Sequence, residues 1–184
     1  MDESTNIFQR IANASCETGL GILVIGGHAV NAYGYTRTTL DLDFLVCADD
    51  LAAWRTKLES FGYRWVGQTS AFAKFLPENA SSALFPVDLM LVDRSTYALM
   101  ASRQRLMYFG QVSLPVPAPL HLIALKLHAM RNAERRMSGK DLPDILQILR
   151  ICNIDPNEAA FREVLDRHAN DETRSLLKSF LGER

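Results

Sequence analysis

The 184-residue chain has only three cysteines, four histidines and two tryptophans. The cysteines, at 16, 47 and 152, are odd in number and too far apart for a disulfide framework or a zinc pattern. They read as small buried apolar side chains in a reducing, cytoplasmic setting. No apolar run approaches the length of a membrane span, so no membrane partner is expected. The opening MDESTNIFQR is acidic and polar, unlike a signal or transit peptide. There is no repeat and no low-complexity segment. Excess charge is missing too. The net charge of −1 excludes a general nucleic-acid binder. One run departs from that balance. From Lys126 to Lys140, five basic residues (Lys126, Arg131, Arg135, Arg136, Lys140) stand against Glu134 alone. Such a run suits either a solvated helix end or a phosphate-binding patch.

What is present is an α/β pattern. Apolar content of 48% and charged content of 22% are those of a globular chain. Residues 3–17 have helical spacing through Ile7, Phe8, Ile11 and Ala12. Ile22–Ile25 reads as a short buried strand, Gly26-Gly27 as a turn, and His28–Tyr33 as a helix stopped by Gly34. Leu40–Val46 reads as a strand. Asp49 or Asp50 is placed to cap a helix running to Phe61. Strands are expected at 63–66, 71–76 and 84–92, with a polar loop over 77–82. Ser95 and Thr96 suit the start of a short helix to 102, and 106–116 is extended. Pro115, Pro117 and Pro119 mark a boundary. Beyond it, helices are expected at 119–134, 141–152, 156–169 and 171–181, the third opened by Asp155-Pro156-Asn157-Glu158. The expected fold is a mixed-sheet core over 1–118 with a helical region over 119–184 that completes the site.

The chemistry is carried by carboxylates in apolar strands. In a strand over 40–46, Asp41 and Asp43 point to one face and Leu42, Phe44 and Val46 to the other. Two like charges side by side need compensation from solvent, a basic partner or a hard divalent cation. Asp88 lies in Phe85–Val92, where an unpaired carboxylate is costly to bury. If the two strands are neighbours, the three acids could hold two divalent ions around a triphosphate. Gly26-Gly27 ahead of a helix permits close backbone approach to phosphate. His28 and Arg37 stand near it, and Arg37 suits either a phosphate or an ion pair with Asp41 or Asp43. Lys126 falls on the apolar stripe of its helix, so it either snorkels to solvent or meets a buried anion. Asp141 is placed as a helix N-cap. His121 and His128 read as exposed or partly exposed.

In order, the chain reads VIGGHAVNAYGYTRTTLDLDFLV (24–46), PVDLMLV (86–92), LIALKLHA (122–129) and GKDLPDILQIL (139–149). This resembles the nucleotidyltransferase superfamily related to DNA polymerase beta, and within it the AbiEii-like minimal nucleotidyltransferases, over about residues 20–150. The resemblance implies a nucleotidyltransferase-like core that uses Mg²⁺, two ions with Mn²⁺ as substitute, to move an NMP from an NTP to an acceptor hydroxyl. It implies Asp41 and Asp43 as metal-binding acids and Asp88 as the third acid and base. Gly26, Gly27, His28, Arg37, Lys126, Lys140 and Asp141 are then the nucleotide-contacting set, with Lys126 on the phosphates. The acceptor it implies is tRNA, protein or a small molecule, and a cognate antitoxin is a possible partner. Two other readings remain open: a catalytically inactive binding or regulatory subunit of the same fold, and an antibiotic-modifying transferase.

Overall fold

The strand Leu42–Cys47 (β2) is buried along its length except at Asp43. A run of Leu, Phe, Leu, Val and Cys hidden on both faces belongs in the middle of a sheet, because each such side chain contributes about 1.5–3 kcal/mol when removed from water. The structure is a computed structural model that describes residues 3–79 and 84–182. The described part of the chain divides into two compact units, one of residues 1–32 and 37–117, the other of 33–36 and 118–184.

The first unit is a mixed α/β layer. Its five-stranded sheet has the order β1-β2-β5-β4-β3, with β1 Leu23–Val24, β3 Tyr63–Gln68, β4 Phe72–Pro77 and β5 Val87–Val92. β2 and β5 run parallel; the other three pairings are antiparallel. β5 alternates buried and partly buried residues, with Val87, Leu89 and Leu91 facing the core. The helices are α1 (Glu3–Thr18), α2 (Gly26–Ala32), α3 (Leu51–Ser60) and α4 (Arg94–Ala101). Ile7, Phe8, Ile11 and Ala14 form the buried stripe of α1. The segment expected to be extended folds into a hairpin, β6 (Arg105–Phe109) with β7 (Val112–Val116). The expected polar loop over 77–82 falls partly outside the described residues.

Several local expectations are corrected. β2 begins at Leu42, so Asp41 lies in a bend before the strand. The ladder starts where the Leu42 amide donates to the Pro86 carbonyl, and the Thr39 hydroxyl donates to the Asp41 carbonyl just ahead of it. α3 is preceded by a 3-10 turn, Ala48–Asp50, and Asp50 caps it without a side-chain hydrogen bond. Of the cysteines only Cys47 is buried; Cys16 is exposed and Cys152 intermediate.

α4 is capped by Asp93 rather than by Ser95 or Thr96. The Asp93 carboxylate accepts from the Ser95 hydroxyl, from the Thr96 amide at 2.8 Å and from the Thr96 hydroxyl at 2.9 Å. These bonds, that from Ser95 foremost, hold its carboxyl down at about 2 from 3.8. A carboxyl lowered in the folded state adds stability above its unfolded value and loses that contribution as pH falls through the folded one. Asp93→Ala is therefore expected to lower stability at neutral pH. The gap to wild type should close between pH about 4 and about 2, as read by urea denaturation across that range.

The second unit is helical: α5 (Pro119–Ala129), α6 (Ala133–Met137), α7 (Asp141–Ile151), α8 (Ala159–His168) and α9 (Asp171–Leu181). α5 packs on α7 and α8, with Leu122, Ile123, Leu127, Ile145, Ile148, Phe161 and Leu165 in the core. α8 starts at Ala159, three residues after Pro156, because Asp155 is spent on the Asn157 amide at 2.8 Å in a turn of its own. Among the described residues no helix is long and apolar enough to cross a membrane.

Candidate active site

The parallel pairing of β2 with β5 sets Asp43 directly opposite Asp88. The antiparallel pairing of β4 with β5 sets Lys74 opposite Asp88 from the other side. Residues paired in register point to the same face, so one row across three strands reads Asp43, Asp88, Lys74. Asp41 is exposed in the bend before β2, two residues from the row.

Asp88 is the constrained member. Its Oδ2 lies 3.8 Å from the Lys74 ammonium, an ion pair too long for a hydrogen bond. Its Oδ1 is buried with no hydrogen-bond partner among the described residues. Burial raises the carboxyl above its ordinary value; the Lys74 charge opposes the rise and the Asp41 charge adds to it. A buried carboxylate oxygen with no partner has lost its hydration without compensation.

The glycine pair abuts this row. The Ile25 amide donates to the Asp43 carbonyl at 2.9 Å, which brings the end of β1 and the start of α2 over β2. Gly26 has φ +61°, and a Cβ there would fall 2.6 Å from the Asp43 Cγ. Only glycine fits both constraints. A Cβ on Gly27 would fall 2.6 Å from the Thr39 hydroxyl oxygen and 3.1 Å from an Arg37 Nη1. Arg37 is held by its backbone: its amide donates to the Asn31 side chain at 3.0 Å, and the Asn31 amide group donates back to its carbonyl at 2.9 Å. Gly26, Gly27, Thr39, Arg37 and Asp43 thus form one neighbourhood. His28 is turned to the edge of the Phe8 ring at 5.2 Å, and burial, then the nearby Arg37 charge, lower its pKa.

The donor set fits a divalent cation. Carboxylate oxygens are the ligands that hard cations take, Asp88 offers an unpartnered oxygen, and the absence of a side chain on Gly26 lets the Asp43 carboxylate lie against the backbone of the glycine pair. Among the described residues no three His, Cys, Asp or Glu side chains are gathered as a ready metal cluster. The row offers a facing pair with Asp41 outside it.

In the second unit Lys126 does not snorkel. Its side chain is 6% exposed, and its ammonium lies 2.6 Å from Asp144 and 3.2 Å from Asp141, which are 0% and 2% exposed. Arg135 reaches Asp141 from the surface at 3.1 Å. Two cations thus balance two carboxylates. Asp141 is the first residue of α7, not its cap; Lys140 holds the cap position and is exposed. The basic run is partly consumed by such contacts, since Arg136 donates to the Met130 carbonyl at 2.9 Å.

Two participants escaped the sequence reading. Lys74 sits in an alternating strand and acquires meaning only from its pairing. Asp144 was visible as an acid three residues after Asp141, on the same helix face.

The fold is that of nucleotidyltransferases. The solution structure of the antibiotic-resistance factor ANT(2″)-Ia aligns over 100% of both chains with a TM-score of 0.68 at 12% identity. An antigenic nucleotidyltransferase-like protein from Paracoccidioides brasiliensis aligns over 100% of this chain and 94% of its own, with a TM-score of 0.61 at 17% identity. A nucleotidyltransferase from Thermotoga maritima, itself described as putative, aligns over 77% and 94%, with a TM-score of 0.54 at 13% identity. No curated protein matches the chain. The family model for the nucleotidyl transferase AbiEii toxin of type IV toxin–antitoxin systems matches residues 18–183, and the chain belongs to that family. It is accordingly an enzyme of the nucleotidyltransferase class.

Proposed function

We propose that the enzyme moves a nucleoside monophosphate from an NTP to an acceptor hydroxyl on RNA or protein, using a site built on Asp41, Asp43 and Asp88. The observation that carries this reading is the parallel register of Asp43 with Asp88, together with the unpartnered buried oxygen of Asp88. Asp41, Asp43 and Asp88 would hold Mg²⁺, with Mn²⁺ as substitute. When bound, the metal supplies positive charge to the transferring phosphoryl group.

The chain's own residues do the rest. The backbone at Gly26-Gly27 lets the triphosphate approach closely, and the Arg37 guanidinium beside Gly27 supplies a cation to its oxygens. The acceptor oxygen forms a bond to the α-phosphorus, the bond to the bridging oxygen breaks, and pyrophosphate leaves. The hydroxyl proton passes to Asp88, which has a carboxylate oxygen without a hydrogen-bond partner. Catalysis here is positioning and charge stabilisation. We assign His28 to packing and not to phosphate, because its half-buried ring lies against Phe8. We assign Lys126 and Asp141 to each other before any phosphate, because their charges are already matched. A cognate antitoxin is the partner that the family suggests.

The test is an assay with each of the four α-labelled NTPs and Mg²⁺, offered total RNA, total protein and an aminoglycoside in parallel. Metal-dependent label on RNA or protein is the expected result. Label on the aminoglycoside alone would replace the acceptor class. No transfer and no calorimetric binding of any NTP with Mg²⁺ would overturn the proposal.

A further inference from the structure

Lys74 is the one member of the carboxylate row that the reaction above does not use. Its side chain is 52% exposed, against 29% for Asp88, and the pair spans 3.8 Å. A contact of that length and exposure holds weakly. It covers only Oδ2, leaving Oδ1 without a partner. On the far side, Lys74 is paired in register with Gly67 of β3. A Cβ built on Gly67 meets nothing within 4 Å, so the ammonium has open space into which to withdraw. Lysine is suited to such a role, because its charge is a point on a flexible four-carbon stem.

We propose that Lys74 is a tethered counter-ion for Asp88 that a divalent cation displaces on entry, so that this lysine sets the cation concentration at which the site loads. The inference rests on the reading of Asp43 and Asp88 as a cation site. A divalent ion held on the Asp88 carboxylate repels the neighbouring ammonium, and the lysine is the one with somewhere to go. Its departure leaves Asp88 with both oxygens available to the ion. It follows that Lys74 opposes metal binding in the free enzyme, the reverse of what a lysine that helped to build the site would do.

The experiment uses the whole chain without nucleotide at pH 8. Mn²⁺ binding is followed by electron paramagnetic resonance for wild type, Lys74→Met and Lys74→Arg, with circular dichroism as the check on folding. Lys74→Met is expected to bind Mn²⁺ about three- to five-fold more tightly, the range of a weak exposed pair. Lys74→Arg, which keeps the charge, should stay near wild type, and the difference between wild type and Lys74→Met should shrink in high salt. Equal or weaker Mn²⁺ binding by a folded Lys74→Met protein would overturn the role of Lys74 while leaving the cation site standing. Absence of Mn²⁺ binding from all three proteins would overturn both.

Discussion

Asp88→Asn is expected to leave the chain folded and to reduce nucleotidyl transfer by about 10²- to 10³-fold, the loss of roughly 3–4 kcal/mol of transition-state stabilisation. Asparagine keeps the shape of the side chain and removes the charge. The fold should tolerate the change, because Asp88 carries a desolvation cost that its long ion pair to Lys74 offsets only weakly. Asp43→Asn should behave in the same way, since Asp43 is the one position of β2 that is not buried. Transfer of labelled NMP, set beside a urea denaturation curve for each variant, checks both halves. A variant that keeps its stability and more than a tenth of its activity would remove that carboxylate from the mechanism.

The second large effect lies in the helical unit and is one of stability. Lys126→Met should destabilise the protein by about 3–5 kcal/mol, because it strands two buried carboxylates without their shared cation. That is a large fraction of the 5–15 kcal/mol that typically holds a domain together. Asp144 is the more affected of the two, since it is fully buried and makes the shorter contact with the ammonium, 2.6 Å against 3.2 Å. Adding Asp144→Asn to Lys126→Met should therefore restore much of the loss, a coupling that urea denaturation of the single and double variants would measure. If Lys126→Met melted like wild type and lost only activity, the lysine would belong to the substrate and not to the two aspartates.

How much of this could be seen in the chain alone varies with the range of the interaction. The α/β order was legible because the apolar periods of α1, β2, β5 and α7 are strong. Asp43 and Asp88 stood out because a carboxylate inside a Leu, Val and Phe strand needs a reason. Their opposition did not, because strand pairing is decided by tertiary packing. Asp41 was misplaced by one ladder position, a shift that removes it from the alternation altogether. Asp93 and Asp155 show the ambiguity of short polar side chains. Either can cap a helix or close a turn, and the backbone around each decides which. Lys126 posed a fair alternative between solvent and a buried anion, and the outcome depended on Asp144 of another helix, eighteen positions away.

The sheet order has a consequence for how activity is acquired during synthesis. Asp43 and Asp88 stand forty-five positions apart, and the strand of Asp88 lies between β2 and β4, with the β3–β4 hairpin intervening in the chain. Closing so distant a pairing is slow compared with helix or hairpin formation. A chain cut before Asp88 carries the first acid without the second. The proposed acid pair therefore exists only once β5 has filled the gap between β2 and β4.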